Sequence, residues 1–169
     1  MFGNDTNPLY ANTKLTVRNL TIENTGTQSG YAALIGYNAH NTSVVFDKCT
    51  FKNIYAPVYV NPITTEPEDG GVSVSMNECT FDNTPYSYAA DRSAGSYVGA
   101  VTITIDGKEV ERVLSDNTVC AVVGGVEKIF DDIQSAVTDA DEGSTIIVAP
   151  GTYDGNIQFD DKSPVSYTH

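Results

Sequence analysis

From residue 13 onward, apolar and polar residues alternate in short runs, and the runs recur along the chain. Residues 15–25, 44–54 and 74–84 align over eleven positions without a gap, at offsets of 29 and 30 residues. Four columns of this alignment are apolar: Leu15/Val44/Val74, Val17/Phe46/Met76, Leu20/Cys49/Cys79 and Ile22/Phe51/Phe81. Within each copy the alternation shifts phase once, at Arg18-Asn19, Asp47-Lys48 and Asn77-Glu78. A period of two interrupted by one phase shift predicts two short strands joined by a bend. Thr21/Thr50/Thr80 is an outward β-branched column, as a strand surface prefers. Asn24, Asn53 and Asn83 place asparagine at the same point of all three copies. Asparagine tolerates the left-handed conformation and bonds nearby backbone, so this column predicts a sharp turn and, on stacking, an amide ladder. Residues 33–35 and 57–60 supply further short strands between the copies. A repeat of about 30 residues made of strands and turns predicts a solenoid in which each residue stacks on its equivalent one coil away.

The pattern changes near Gly99. Residues 101–105 alternate, Asp106-Gly107 is a strong hairpin turn, and residues 108–113 run back. Residues 119–123 form another short apolar run that ends at Gly124-Gly125. Ile129, Phe130, Ile133, Ala136, Val137 and Ala140 then fall on one face at helical spacing. The helix this predicts has Asp131 and Asp132 in its first turn and stops at Gly143. Residues 144–149 read as a strand, residues 150–153 as a turn, and residues 157–159 as the opening of another coil.

The three aligned segments resemble rungs of the right-handed parallel β-helix, the pectin-lyase-like fold. The resemblance covers roughly residues 13 to 105. It is specific for fold and says little about activity, because one fold hosts many functions. Residues 122–159, with Gly-Gly, an amphipathic helix, Gly-x-Thr-Ile-Ile-Val and Pro-Gly-Thr-Tyr, resemble the N-terminal cap and first rung of the same family. In that family the cap precedes the rungs, whereas here it follows them. Either the chain holds the tail of one β-helix and the head of the next, or the late segment closes an open solenoid end, in this chain or in a partner.

Composition narrows the function classes. The chain has 169 residues, 22 acidic and 9 basic side chains, and a net charge of −13. That acidity argues against nucleic acid and anionic membranes as partners. No apolar run is long enough for a transmembrane helix, so membrane insertion is not expected. Residues 1–5 lack the basic and apolar regions of a signal peptide. The three cysteines cannot complete a disulfide framework, and the two histidines have no zinc-like spacing.

Candidate chemistry is sparse. Glu23, Lys52 and Asp82 align, as do Arg18 with Asp47 and Lys48 with Glu78. With coils about 4.8 Å apart, these columns predict ion pairs along the stack. The resemblance to polysaccharide lyases implies a second role: Lys52 as a base, with Asp47 or Asp82 binding calcium. The lyase cluster of acidic residues and the paired catalytic aspartates of the hydrolases are both missing, so no catalytic residue is assigned. Cys49 and Cys79 share a column that predicts stacked thiols, since stacked positions suit a disulfide poorly. Glu66, Glu68 and Asp69 form an acidic cluster able to offer oxygen to a hard cation such as calcium. Tyr86, Tyr88 and Tyr97, with Arg92 between them, form a candidate sugar or protein platform. Asn4, Asn19 and Asn41 each begin an Asn-x-Ser/Thr sequon.

The expectation is therefore all-β: a right-handed parallel β-helix of about three to four coils over residues 1–98. A hairpin connector follows over 99–125, then a helix-strand segment with one short capping helix over 126–169. No cofactor is required. Unpaired strand edges at open solenoid ends predict self-association. Two function classes stay open. One is a non-catalytic secreted or cell-surface module, a fragment of a larger adhesin-like protein that contacts polysaccharide. The other is a remnant or subunit of a carbohydrate-active lyase or hydrolase. The small groove and missing catalytic clusters favour the first.

Overall fold

A computed structural model describes residues 11–67, 70–90, 93–111, 114–159 and 167–168. About 40% of the chain is strand, in a parallel β-solenoid of about three turns with one helix and one 3-10 turn. Two compact units are present. The first comprises Met1–Pro62, Pro67–Asp91 and Val101–Glu111; the second comprises Ile63–Glu66, Arg92–Ala100 and Arg112–His169.

The first unit is the solenoid. Its first turn is β1 (Lys14–Arg18), β2 (Thr21–Glu23) and β3 (Tyr31–Ile35). The second is β4 (Thr42–Asp47), β5 (Thr50–Lys52) and β6 (Ala56–Val60). The third is β7 (Val72–Asn77), β8 (Thr80–Asp82) and β9 (Ala89–Ala90). They stack in parallel as three sheets, with orders β1-β4-β7, β2-β5-β8 and β3-β6-β9. The register reproduces the sequence alignment: Leu15 lies on Val44 and Val44 on Val74, while Val17 lies on Phe46 and Phe46 on Met76. Val44, Phe46, Val74 and Met76 are fully buried. Phe51 sits between Phe46 and Phe81, with ring centroids 5.1 and 5.6 Å away.

The bends lie where the hydrophobic phase shifts. Asn19, Lys48 and Glu78 adopt φ of 52°, 53° and 48°. This left-handed conformation costs an ordinary residue about 1–2 kcal/mol. A hydrogen bond to the next coil offsets it. Asn19 N donates to Asp47 O at 3.0 Å, and Lys48 N to Asn77 O at 2.9 Å. Glu78 N instead donates to the side chain of Asp106, at 2.7 Å.

That substitution marks the end of the solenoid. β10 (Val101–Ile105), expected to open a separate connector, pairs in parallel with β7 and places Ile103 on Val74 and Ile105 on Met76. It continues both apolar columns into a fourth layer. Asp106 and Gly107, with φ of 48° and 76°, then turn the chain back into β11 (Lys108–Glu109), which pairs antiparallel to β10. The returning strand is shorter than the sequence pattern suggests. One apolar column also departs from expectation: Leu20 is 43% exposed although Cys49 beneath it is buried. Leu20 belongs to the first turn, which has a hydrogen-bonded neighbour on one side only among the described residues.

The second unit is a small sheet with a helix against it. β12 (Val119–Val123) and β13 (Val126–Phe130) form an antiparallel hairpin through Gly124-Gly125, whose φ values are 60° and 79°. Two positive-φ residues in a two-residue loop match strand twist, which is why Gly-Gly suits the turn. Both glycine N–H groups donate to the carboxylate of Asp141, at 3.0 and 2.8 Å. α1 (Ile133–Asp139) is shorter than the helical pattern predicts, because Ile129 and Phe130 belong to β13. Asp131 lies before the helix, and Asp132 caps it by accepting from Ser135 N and from the Ser135 hydroxyl, both at 2.7 Å. These main-chain and hydroxyl hydrogen bonds hold the Asp132 carboxyl below its ordinary pKa. Ala136, Val137 and Ala140 pack on Val119, Ala121, Phe130 and Ile146. β14 (Ile146–Val148) pairs with β12, and β15 (Tyr167–Thr168) adds in parallel to β14. A 3-10 turn spans Val98–Ala100.

Candidate functional site

Stacking turns sequence columns into outer-surface ladders. Three of the aligned charge pairs close: Arg18–Asp47 at 3.2 Å, Lys48–Glu78 at 3.8 Å and Lys52–Glu23 at 3.3 Å. Lys52 and Asp47, the residues a lyase reading would need, are thus each engaged with an opposite charge. Lys52 also lies beside Asp82 in the register.

The asparagine column forms a ladder of mixed kind. Asn83 Nδ2 donates to Asn53 Oδ1 at 2.9 Å, an amide-to-amide rung. Asn53 Nδ2 instead reaches main chain, at Asn24 O (2.7 Å) and Gly26 O (2.8 Å). Asn53 and Asn83 are left-handed, with φ of 52° and 46°. Asn24 is not among the positive-φ residues; its amide folds over its own turn, onto Thr27 O and Ser29. A second asparagine column escapes the eleven-position alignment because it lies just before each copy. Asn12 and Asn41 have φ of 58° and 46°, and Asn41 Nδ2 donates to Asn12 Oδ1 at 2.8 Å. The repeated Asn-Thr at 12–13 and 41–42 is the signal that marks it.

Cys49, Cys79 and Cys120 are free thiols. Cys49 Sγ lies 3.5 Å from Val17 O, and Cys79 Sγ 3.6 Å from Phe46 O, so each thiol donates to the preceding coil. Burial pushes the Cys79 thiol above its ordinary pKa, the opposite of what a nucleophile needs.

Stacking also brings a row of tyrosines together on the first unit. Tyr31 opens β3, Tyr55 precedes β6, Tyr59 lies within β6, and Tyr86 follows β8. Tyr55 is set against the first turn by its N–H, which donates to Gly30 O at 3.0 Å. The rings form a chain. Tyr59 and Tyr31 centroids are 4.8 Å apart, Tyr31 and Tyr55 are 6.0 Å apart edge to face, and Tyr55 and Tyr86 are 4.7 Å apart. Tyr55 is 39% exposed and Tyr86 is 49% exposed. Loss of water around its hydroxyl, then the neighbouring Tyr86 phenol, push the Tyr55 phenol above its ordinary pKa. Exposed aromatic clusters on a folded chain mark interaction surfaces.

Of the sequence-predicted platform, Tyr86 joins this row. Tyr88 is half-buried, Arg92 lies outside the described residues, and Tyr97 belongs to the second unit. Tyr97 is only 7% exposed, and its ring centroid lies 5.4 Å from Lys128 Nζ. It is a packing residue rather than part of a platform. Tyr31, Tyr55 and Tyr59 were missed because the turn before the third strand differs in length between coils, so the rings do not align at the repeat offset. Of the acidic cluster, Glu66 is exposed, and Glu68 and Asp69 lie outside the described residues. Glu66 lies so close to Gly124 that a side chain there would collide with its carboxylate. Among the described residues, no group of three or more His, Cys, Asp or Glu is placed to share a metal ion. No helix among them is long and apolar enough to cross a membrane.

No protein-family model, curated protein or solved structure matches this chain. The fold itself defines the class of this chain, a parallel β-solenoid.

Proposed function

We propose that this chain is a non-catalytic β-solenoid module of pectin-lyase-like architecture, secreted or displayed at a cell surface, that contacts neutral glycans. The tyrosine row Tyr59-Tyr31-Tyr55-Tyr86 carries the reading. Phenol rings offer apolar faces to the C–H faces of a sugar and hydroxyls to its edge, at little conformational cost. The net charge of −13 disfavours polyuronates and supports a neutral ligand. The aligned rung pattern supports the pectin-lyase-like assignment. The ion-paired Lys52 and Asp47 support a structural role for the columns that a lyase would use. Strands β1, β2 and β3 each have a neighbour on one side only among the described residues, which supports association through that end.

Co-sedimentation of the chain with insoluble neutral and anionic polysaccharides, with products assayed in the supernatant, tests the reading. Binding to a neutral polymer without new reducing ends or unsaturated products is expected. Turnover of any polymer, or binding confined to anionic ones, contradicts it.

A further inference from the structure

Two of the sequons lie in the described solenoid; both asparagines are exposed with positive φ, and they differ in what their side-chain amides meet. Asn41-Thr42-Ser43 begins with an amide already engaged: its Nδ2 donates to Asn12 Oδ1 at 2.8 Å. Thr42 is buried, and Ser43 N is held by Thr13 O at 2.8 Å. Asn19-Leu20-Thr21 differs in its side chains. Asn19 is exposed at the apex of the first bend, with φ of 52°, and only its backbone N–H is engaged, by Asp47 O. Its side-chain amide makes no hydrogen bond among the described residues. Thr21 is exposed at the start of β2, and Leu20 between them is 43% exposed. The next coils place Lys48 and Glu78 at the same bend, where each joins an ion pair with the other. Asn19 has neither that charge nor a ladder partner to use its side chain.

We infer that Asn19 is an N-glycosylation acceptor and that Asn41 is not. The co-substrate is a lipid-linked oligosaccharide diphosphate. Asn19 Nδ2 attacks the anomeric carbon, the carbon–nitrogen bond forms, and the bond from that carbon to the diphosphate oxygen breaks. The lipid diphosphate leaves, and the amide proton passes to a base of the transferase. Thr21 supplies the hydroxyl that the sequon requires. A glycan here stands beside the outer edge of β2, so modification and pairing of that edge with another chain exclude one another. The biological occurrence of this modification rests on the extracellular reading; the chemistry does not.

The test uses the folded full chain. It is incubated with an oligosaccharyltransferase already active on a short Asn-x-Thr peptide and with its lipid-linked oligosaccharide, and glycopeptides are followed by mass spectrometry. Asn19 is expected to be modified at least tenfold faster than Asn41. Thr21→Ala abolishes modification at Asn19 without changing the unfolding midpoint. Asn12→Gly, which keeps the backbone turn and removes the Oδ1 that holds Asn41, raises modification at Asn41. No modification at Asn19, or comparable rates at the two sites, overturns the inference. Tyr55→Ala leaves transfer to Asn19 unchanged, so loss of glycan binding and loss of acceptor function are read separately.

Discussion

Asn53 is where the coil geometry is most exposed to a single change. Its amide donates to Asn24 O and Gly26 O and accepts from Asn83 Nδ2, at 2.7, 2.8 and 2.9 Å. Its backbone sits at φ of 52°. Asn53→Ala removes three hydrogen bonds at about 0.5–1 kcal/mol each, taking the low end because water reaches this turn. It also puts a Cβ without a compensating amide into the left-handed region, at about 1 kcal/mol. The sum is about 3 kcal/mol, a large part of the 5–15 kcal/mol that holds a typical domain. Asn53→Gly removes the same bonds but keeps the backbone conformation at ease, so it should cost about 1 kcal/mol less. Asn24→Ala should cost only the hydrogen-bond part, because Asn24 is not left-handed. Urea unfolding followed by circular dichroism, read as midpoint shifts at constant slope, measures all three. An Asn53→Ala variant within about 0.5 kcal/mol of the parent, or a glycine variant as damaging as the alanine one, would refute this role for Asn53.

Other consequences follow from the same geometry. Phe51→Ala empties a fully buried site between Phe46 and Phe81 and should cost about 3–5 kcal/mol by the same unfolding assay. Asp132→Ala removes the α1 cap and should cost about 1 kcal/mol at neutral pH. Because the folded Asp132 pKa is lowered, its contribution is complete above the ordinary aspartate pKa and is lost as pH falls through the folded value. Parent and variant should therefore converge in stability on acidification below that point. Lys52→Gln breaks an exposed ion pair and should shift stability by less than about 0.5 kcal/mol, with the difference vanishing in 1 M salt.

The solenoid was legible in the sequence because stacking makes the chain periodic. Each apolar column is a stack of buried residues, so Val44, Phe46, Val74 and Met76 announce their own register. The bends were legible because the hydrophobic phase must shift where the backbone turns, at Asn19, Lys48 and Glu78. The fourth layer was hidden. Its strand lacks the second half of the repeat, since Asp106-Gly107 reverses the chain where the earlier coils bend onward. The hairpin β12-β13 was obscured by an accident of phase: Ile129 and Phe130 are buried on opposite faces of a strand, yet their spacing also fits the helical face that continues into α1. The Gly-Gly dipeptide was the local signal for it. The tyrosine row was invisible because the turn before the third strand differs in length between coils, so its members do not recur at the repeat offset. All three of its ring contacts cross from one coil to the next, so only the stacking brings its members together.

The most direct test of the account is calorimetric titration of the chain with the neutral oligosaccharide that the sedimentation screen selects, repeated on a variant carrying both Tyr55→Ala and Tyr86→Ala. These two side chains are the most exposed of the row, so their removal should leave the unfolding midpoint nearly unchanged. Stacking on aromatic rings is worth about 0.5–1.5 kcal/mol per contact, so loss of both, about 1–3 kcal/mol, should weaken binding by about fivefold to 150-fold. Unchanged affinity in the variant would contradict the assignment of the tyrosine row as the glycan-contacting surface.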